Sequence, residues 1–271
     1  MRASAPRSRR RPGPVVTILA AAGLAFLVLP LLGLLLRAPW AELPRLIAST
    51  EVLQALGLSL LTASLSTVVC LALGIPLAVL LSHSADWPVV PRRLLRAAIT
   101  IPMVLPPVVG GIALLLLLGR RGIVGQWLAE VGITIPFTTG AVVIAQTFVA
   151  MPFLVFAVEG ALRSSDRRSE LAASSLGASR GQVFRLVTLP LVAPGVAAGA
   201  VLCFTRALGE FGATITFAGS FPGVTRTLPI ASYLAMNSDP DTAIALALLL
   251  LVVSLAVLLV LRDRWLPGVV R

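Results

Sequence analysis

Residues 15–36 read VVTILAAAGLAFLVLPLLGLLL, 22 residues without a charge, set between the arginines of Arg7–Arg11 and Arg37. A bilayer crossing needs about 20 mainly apolar residues. A cleaved secretory leader has a shorter apolar core of about 7–15 residues, so the length predicts an uncleaved anchor. The pair Arg9-Arg10 suggests a twin-arginine export signal, but Pro12, Pro14 and the long run argue against it. The rest of the chain reads the same way. Of 271 residues, 58% are hydrophobic and 12% charged, and the mean hydropathy is +0.99. Soluble domains carry about 25% charged residues. So apolar a chain must bury itself in something, which excludes disorder.

Five more spans are expected, at Leu53–Ser82, Ala97–Leu118, Thr139–Leu162, Val192–Ala218 and Thr242–Leu261. The second and fifth exceed the length needed, so tilt or extension into water is expected. The third is interrupted by Pro102, Pro106 and Pro107 and then by Gly110 and Gly111. In lipid such a break is tolerated where protein or a water-lined cavity re-satisfies the freed backbone, so this span is expected to face a partner helix. The predicted fold class is an all-α integral membrane protein with six transmembrane helices. Its divisions are a basic tail (1–14), a first helix with its outer loop (15–54), a transmembrane domain (55–260) and a second tail (261–271).

All 22 basic residues are arginines. With the amino terminus inside, sixteen fall in cytoplasmic segments, five outside, and Arg206 within the fifth span. The positive-inside rule then puts both termini in the cytoplasm. That placement also accounts for the net charge of +11 without nucleic acid. The absence of Lys removes a P-loop, whose Lys must reach the phosphates, and Schiff-base chemistry. His83, Cys70 and Cys203 are too few for a structural zinc site, and no metal site is expected. An intramembrane enzyme would need a nucleophile with its base or a metal cluster, and neither is in view. Cys70 and Cys203 read as packing residues. Trp40, Trp87, Trp127 and Trp265 sit near span ends as interfacial anchors, and Asp239 and Asp241 read as a cap of the last span in preference to a cation site in the outer loop.

The loop from Arg163 to Leu191 carries the most information. Asp166 or Ser169 can begin a helix, with Glu170 near its positive end. Leu171–Leu176 is a short helical run that Gly177 can end in the left-handed conformation. Val183, Leu186 and Val187 follow at helical spacing, and Pro190 is expected to fix the start of span five. The physics allows either an ordinary interfacial amphipathic helix or a docking element for a cytoplasmic partner.

Leu171-Ala172-Ala173, Gly177 and Val187-Thr188-Leu189-Pro190 resemble the EAA loop of ABC importer permeases. That pattern is Glu-Ala-Ala, three residues, Gly, nine residues, then Ile-x-Leu-Pro. Leu171 holds the pattern's Glu position, and Glu170 lies one residue earlier. The resemblance covers roughly residues 55–260. It implies cytoplasmic coupling helices that insert into a groove of an ATPase subunit and pass its closure to the membrane helices.

Within span five, Arg206 and Glu210 are four residues apart and share a helix face. A charge near the membrane centre is costly and normally faces protein, a partner charge or water. The pair therefore either neutralises itself or lines a pathway, with Arg206 as a transient anion site and Glu210 tempering its affinity. Gly209 and Gly212 permit close helix packing, and with Thr214, Pro106 and Pro107 they join the pair as candidate pathway residues. The string Arg206-Ala-Leu-Gly209-Glu210-Phe-Gly212-Ala-Thr214, with Pro102-x-x-x-Pro106-Pro107-Val-Val-Gly110-Gly111, is similar to the molybdate and sulfate branch of these permeases. Gly-Ala-Thr after Phe211 and the Thr227-Leu228-Pro229 stretch lean towards molybdate, with a sulfate or thiosulfate permease as the alternative; tungstate is chemically too close to molybdate to separate. The resemblance implies a prokaryotic inner-membrane complex of two copies of this chain, an ATPase dimer using ATP and Mg, and an extracytoplasmic oxyanion-binding protein. No cofactor is expected in this chain.

Overall fold

The computed structural model describes residues 13–164 and 167–265. Asp166, the Glu170 side chain and most of both tails lie outside the described residues.

The helices are α1 (Pro14–Leu36), α2 (Leu43–Ile47), α3 (Thr50–His83), α4 (Val89–Val104), α5 (Pro107–Leu118), α6 (Gly125–Glu130), α7 (Thr139–Ser164), α8 (Arg167–Ser175), α9 (Arg180–Val183), α10 (Leu189–Leu208), α11 (Gly212–Ala218), α12 (Leu228–Ala235) and α13 (Pro240–Trp265). The fold is all-α. Among the described residues five helices are long and apolar enough to cross a membrane, and α4 with α5 makes a sixth crossing if that bent pair counts as one.

α7 is the hub, packed against α3, α10 and α11. Small residues set these contacts. Gly199 lies so close to α7 that a Cβ there would stand 3.0 Å from both Ala157 and Leu154, and a Cβ on Gly195 would overlap Ala161. Helices without a hydrophobic driving force between them associate through such close backbone approach. Two polar contacts also join helices: Thr147 donates to Ser66 Oγ at 3.1 Å, and the Leu228 amide donates to Ser59 Oγ at 2.7 Å. By contrast α1 has no buried residue and packs mainly on α13, as suits a helix that is apolar all round and faces lipid. Cys70 and Cys203 are buried in the core that α3, α7 and α10 share, as packing residues should be.

Three expectations about the spans need correction. The third span is not one interrupted rod from Ala97. Helix α4 starts at Val89 behind Pro88, so Arg92, Arg93 and Arg96 ride on a helix, and α4 and α5 meet at 115°. Pro102 is accommodated inside α4, and the break falls at Leu105-Pro106, where consecutive prolines remove two amide donors. The fifth span is also broken, because α10 ends at Leu208 and α11 begins at Gly212. At its other end, Pro190 does not start the span. A π-helical turn at Phe184–Thr188 absorbs the missing donor, and the helix runs unbroken from Gly181 to Leu208.

The two breaks pack on each other. A Cβ on Gly212 would lie 2.8 Å from Pro107 Cβ, and one on Gly111 would lie 2.8 Å from the Ala213 carbonyl oxygen. Because backbone cannot swing aside as a side chain can, Gly111→Ala is expected to cost about 1–3 kcal/mol. The melting temperature of the detergent-solubilised chain reads this directly. Gly23→Ala, where nothing lies within 4 Å, is the matched control and should be neutral.

Candidate functional site

The arginine-rich end of the bundle carries a helical hairpin between α7 and α10. Helix α8 ends in a Schellman motif: Gly177 adopts φ +85°, its amide bonds to Ser174 O at 3.0 Å, and the Ala178 amide reaches back to Ala173 O at 3.1 Å. Helix α9 opens on a reciprocal capping box. The Ser179 amide donates to Gln182 Oε1 at 2.8 Å, and the Gln182 amide to Ser179 Oγ at 3.4 Å. Sequence reading missed this box, although Ser-x-x-Gln is its signature. The hairpin therefore has both turns fixed locally, and α8 packs against α9 and the π-helical turn.

Of the residues expected to dock, Leu171 and Ala172 are exposed, Ala173 and Val187 half-buried, and Leu189 and Pro190 exposed. Leu176 is 89% exposed, and Phe184 and Leu186 are open as well. This contiguous stretch of chain thus presents large apolar side chains on a frame held by local hydrogen bonds. The frame runs straight into α10.

At the broken fifth span, Arg206 and Glu210 do pair, at 2.6 Å between Nη2 and Oε2, but not as two residues of one helix. Glu210 lies past the end of α10, and its Oε1 accepts the Ala213 amide at 2.9 Å. One carboxylate thus neutralises a guanidinium and caps α11, whose positive end favours the charge. The carboxylate is 1% exposed, whereas the Arg206 side chain is 27% exposed. Gly209 is open, and Gly212 and Thr214 are buried. Pro107 is brought against Gly212, and Pro106, exposed, opens α5. The Thr214 hydroxyl and both polar atoms of the Gln146 amide are buried without a hydrogen-bond partner among the described residues. Gln146, on α7, was not singled out from sequence.

At the opposite end, a cavity of about 350 Å³ is lined by residues that include Glu51, Gln54, Gly223, Arg226 and Asp239. Beside it the 219–227 loop is tied to α7 by Thr139 Oγ1, which donates to Val224 O at 2.9 Å, and is closed on itself by the Phe221 amide, which donates to Thr225 Oγ1 at 2.8 Å. Asp239 caps α13 as expected, accepting from the Thr242 amide and hydroxyl, which hold its carboxyl below the ordinary range. Among the described residues no cluster of three potential metal ligands occurs.

The chain belongs to the family of binding-protein-dependent transport system inner membrane components, whose model matches residues 71–267. It is 51% identical over 245 residues to the molybdenum transport system permease protein ModB of Mycobacterium tuberculosis, covering 90% of this chain and 92% of that one. ModB of Escherichia coli K12 is 41% identical over 219 residues, covering 80% and 94%. Among solved structures, a bacterial alginate ABC transporter in complex with its pentasaccharide-bound periplasmic protein matches with a TM-score of 0.73 at 18% identity, covering 92% of this chain and 91% of that one. That last likeness is one of fold.

Proposed function

We propose that this chain is the membrane-spanning subunit of an ATP-driven importer for molybdate, with tungstate as a chemically equivalent cargo. The observation that carries the transport reading is the hairpin at 167–188: exposed apolar residues on a locally locked frame, continuous with a spanning helix. The molybdate reading is supported by the ModB relatives at 51% and 41% identity.

In this reading two copies of the chain form the pathway, and both termini lie in the cytoplasm. Each hairpin seats in a groove of a cytoplasmic ATPase subunit that binds ATP and Mg. An extracytoplasmic binding protein delivers the oxyanion. Closure of the ATPase dimer favours one arrangement of the bundle over the other, so transport is a population shift between inward- and outward-facing states. Arg206, partly exposed beside a buried carboxylate, offers the passing dianion a weak site. Strong attraction would trap the ion, and its standing partner Glu210 prevents that.

The test is molybdenum and sulfur accumulation in cells with and without the chain, at scarce molybdate and a large excess of sulfate. Molybdenum uptake is expected to fall on deletion, without competition by sulfate. A fall in sulfur uptake instead would retain the transporter and replace the cargo with sulfate or thiosulfate. No change in either would remove the oxyanion reading.

A further inference from the structure

Glu159 sits on α7 near the hairpin end, three residues before the close of the run read from sequence as plain membrane span. Its side chain is 4% exposed and is held by two arginines. Arg96 of α4 donates from one nitrogen to both carboxylate oxygens, at 2.8 and 3.0 Å. Arg163, one turn further along α7, approaches at 2.9 Å. The Arg96 guanidinium also lies 5.8 Å from the Phe156 ring centroid, which fixes it from a second side.

The two arginines differ in what they connect. Arg163 and Glu159 share one helix, so their contact joins nothing. Arg96 and Glu159 lie 63 residues apart and tie α4 to α7. Helix α7 leads into the hairpin at one end. Helix α4 leads through the 115° bend to α5, whose Pro107 and Gly111 bear on α11. The carboxylate is buried while both arginine side chains are 49% exposed, so the contact has the discrete geometry of a charge-assisted hydrogen bond, weakened by water on the arginine side.

We infer that the Arg96–Glu159 contact is the joint through which motion of the hairpin reaches the broken third span, making Glu159 a positioning residue for transport. The inference rests on the importer reading above. Three variants test it: R96Q, R163Q and E159Q.

In nanodiscs holding the chain alone, amide exchange along α4 is expected to rise about tenfold in R96Q and E159Q, the lower end of what a charge-assisted hydrogen bond to a buried partner is worth. R163Q should leave α4 unchanged. In the reconstituted complex with its ATPase, R96Q and E159Q should hydrolyse ATP while molybdate moved per ATP falls about tenfold, and R163Q should keep the normal ratio. Equal effects of R96Q and R163Q in either measurement would reduce the contact to local charge balance and overturn the joint. The first measurement needs no ATPase. An unmodified complex in which ATP moves no substrate, alongside the expected α4 exchange, would therefore count against the importer reading and leave the α4–α7 tie standing.

Discussion

Gly177→Val is expected to abolish transport while leaving membrane insertion and expression intact. The reason is backbone conformation, not bulk. At φ +85° the glycine occupies the left-handed region, and a Cβ built there meets nothing within 4 Å. A side chain has room, but the backbone must hold a conformation that costs an ordinary L-residue about 1–2 kcal/mol and a β-branched one more. If that strain is released by unwinding the turn, both Schellman bonds at Ser174 and Ala173 are lost, and α8 no longer presents Leu171 and Leu176 at a fixed angle. The effect should therefore follow left-handed propensity and not size. Gly177→Asn should keep most transport, Gly177→Ala should lose roughly five- to thirtyfold, and Gly177→Val should lose all measurable transport. Uptake in whole cells, with membrane content checked by immunoblot, reads the series. A series ordered by side-chain volume, with Asn worse than Ala, would mean the site is a contact surface for the partner and not a strained turn.

The same turn shows why part of this molecule could be read in advance. Gly177 was legible because its signal is local: a helical run, a glycine and a polar restart. The break at Pro106-Pro107 was also signalled locally by prolines and glycines, but its bend angle was not, and Gly209 read as a packing residue within an unbroken span. The bend angle depends on α5 finding α11, and that contact is set by Gly111 and Gly212 from segments about a hundred residues apart. Pro190 was misread for the opposite reason. A proline normally starts or breaks a helix, and nothing in the sequence announces the π-helical turn that lets the helix pass through it. Glu159 was invisible because a single carboxylate in an apolar run carries no mark of its partner, and Arg96 read as a loop residue counted towards topology. Ser179 and Gln182 differ again: their capping box was spelled out in four residues and was simply outweighed by the amphipathic pattern around it.

Glu210 carries the second large effect, because two kinds of support meet on one carboxylate. Truncation in Glu210→Ala leaves Arg206 without its partner and α11 without its cap. Loss of the buried pair costs about 3 kcal/mol, the low end for such pairs because Arg206 still reaches water, and loss of the cap about 1 kcal/mol more. Arg206→Met should be worse, since it strands a charge on a carboxylate that is 1% exposed. The paired replacement, Arg206→Met with Glu210→Gln, removes both charges, and the Gln carbonyl can still accept the Ala213 amide. Replacing both members of a buried pair is often neutral, so the double variant should recover the thermal stability of the unmodified chain. Its transport decides what the pair is for. A guanidinium that meets the passing dianion cannot be replaced by Met, so molybdate uptake should stay at least about tenfold down in a fully stable protein, the scale of one lost charge-assisted hydrogen bond. If uptake returns together with stability, the pair serves only to join α10 to α11 across the break, and the oxyanion must find its contacts elsewhere along the bundle.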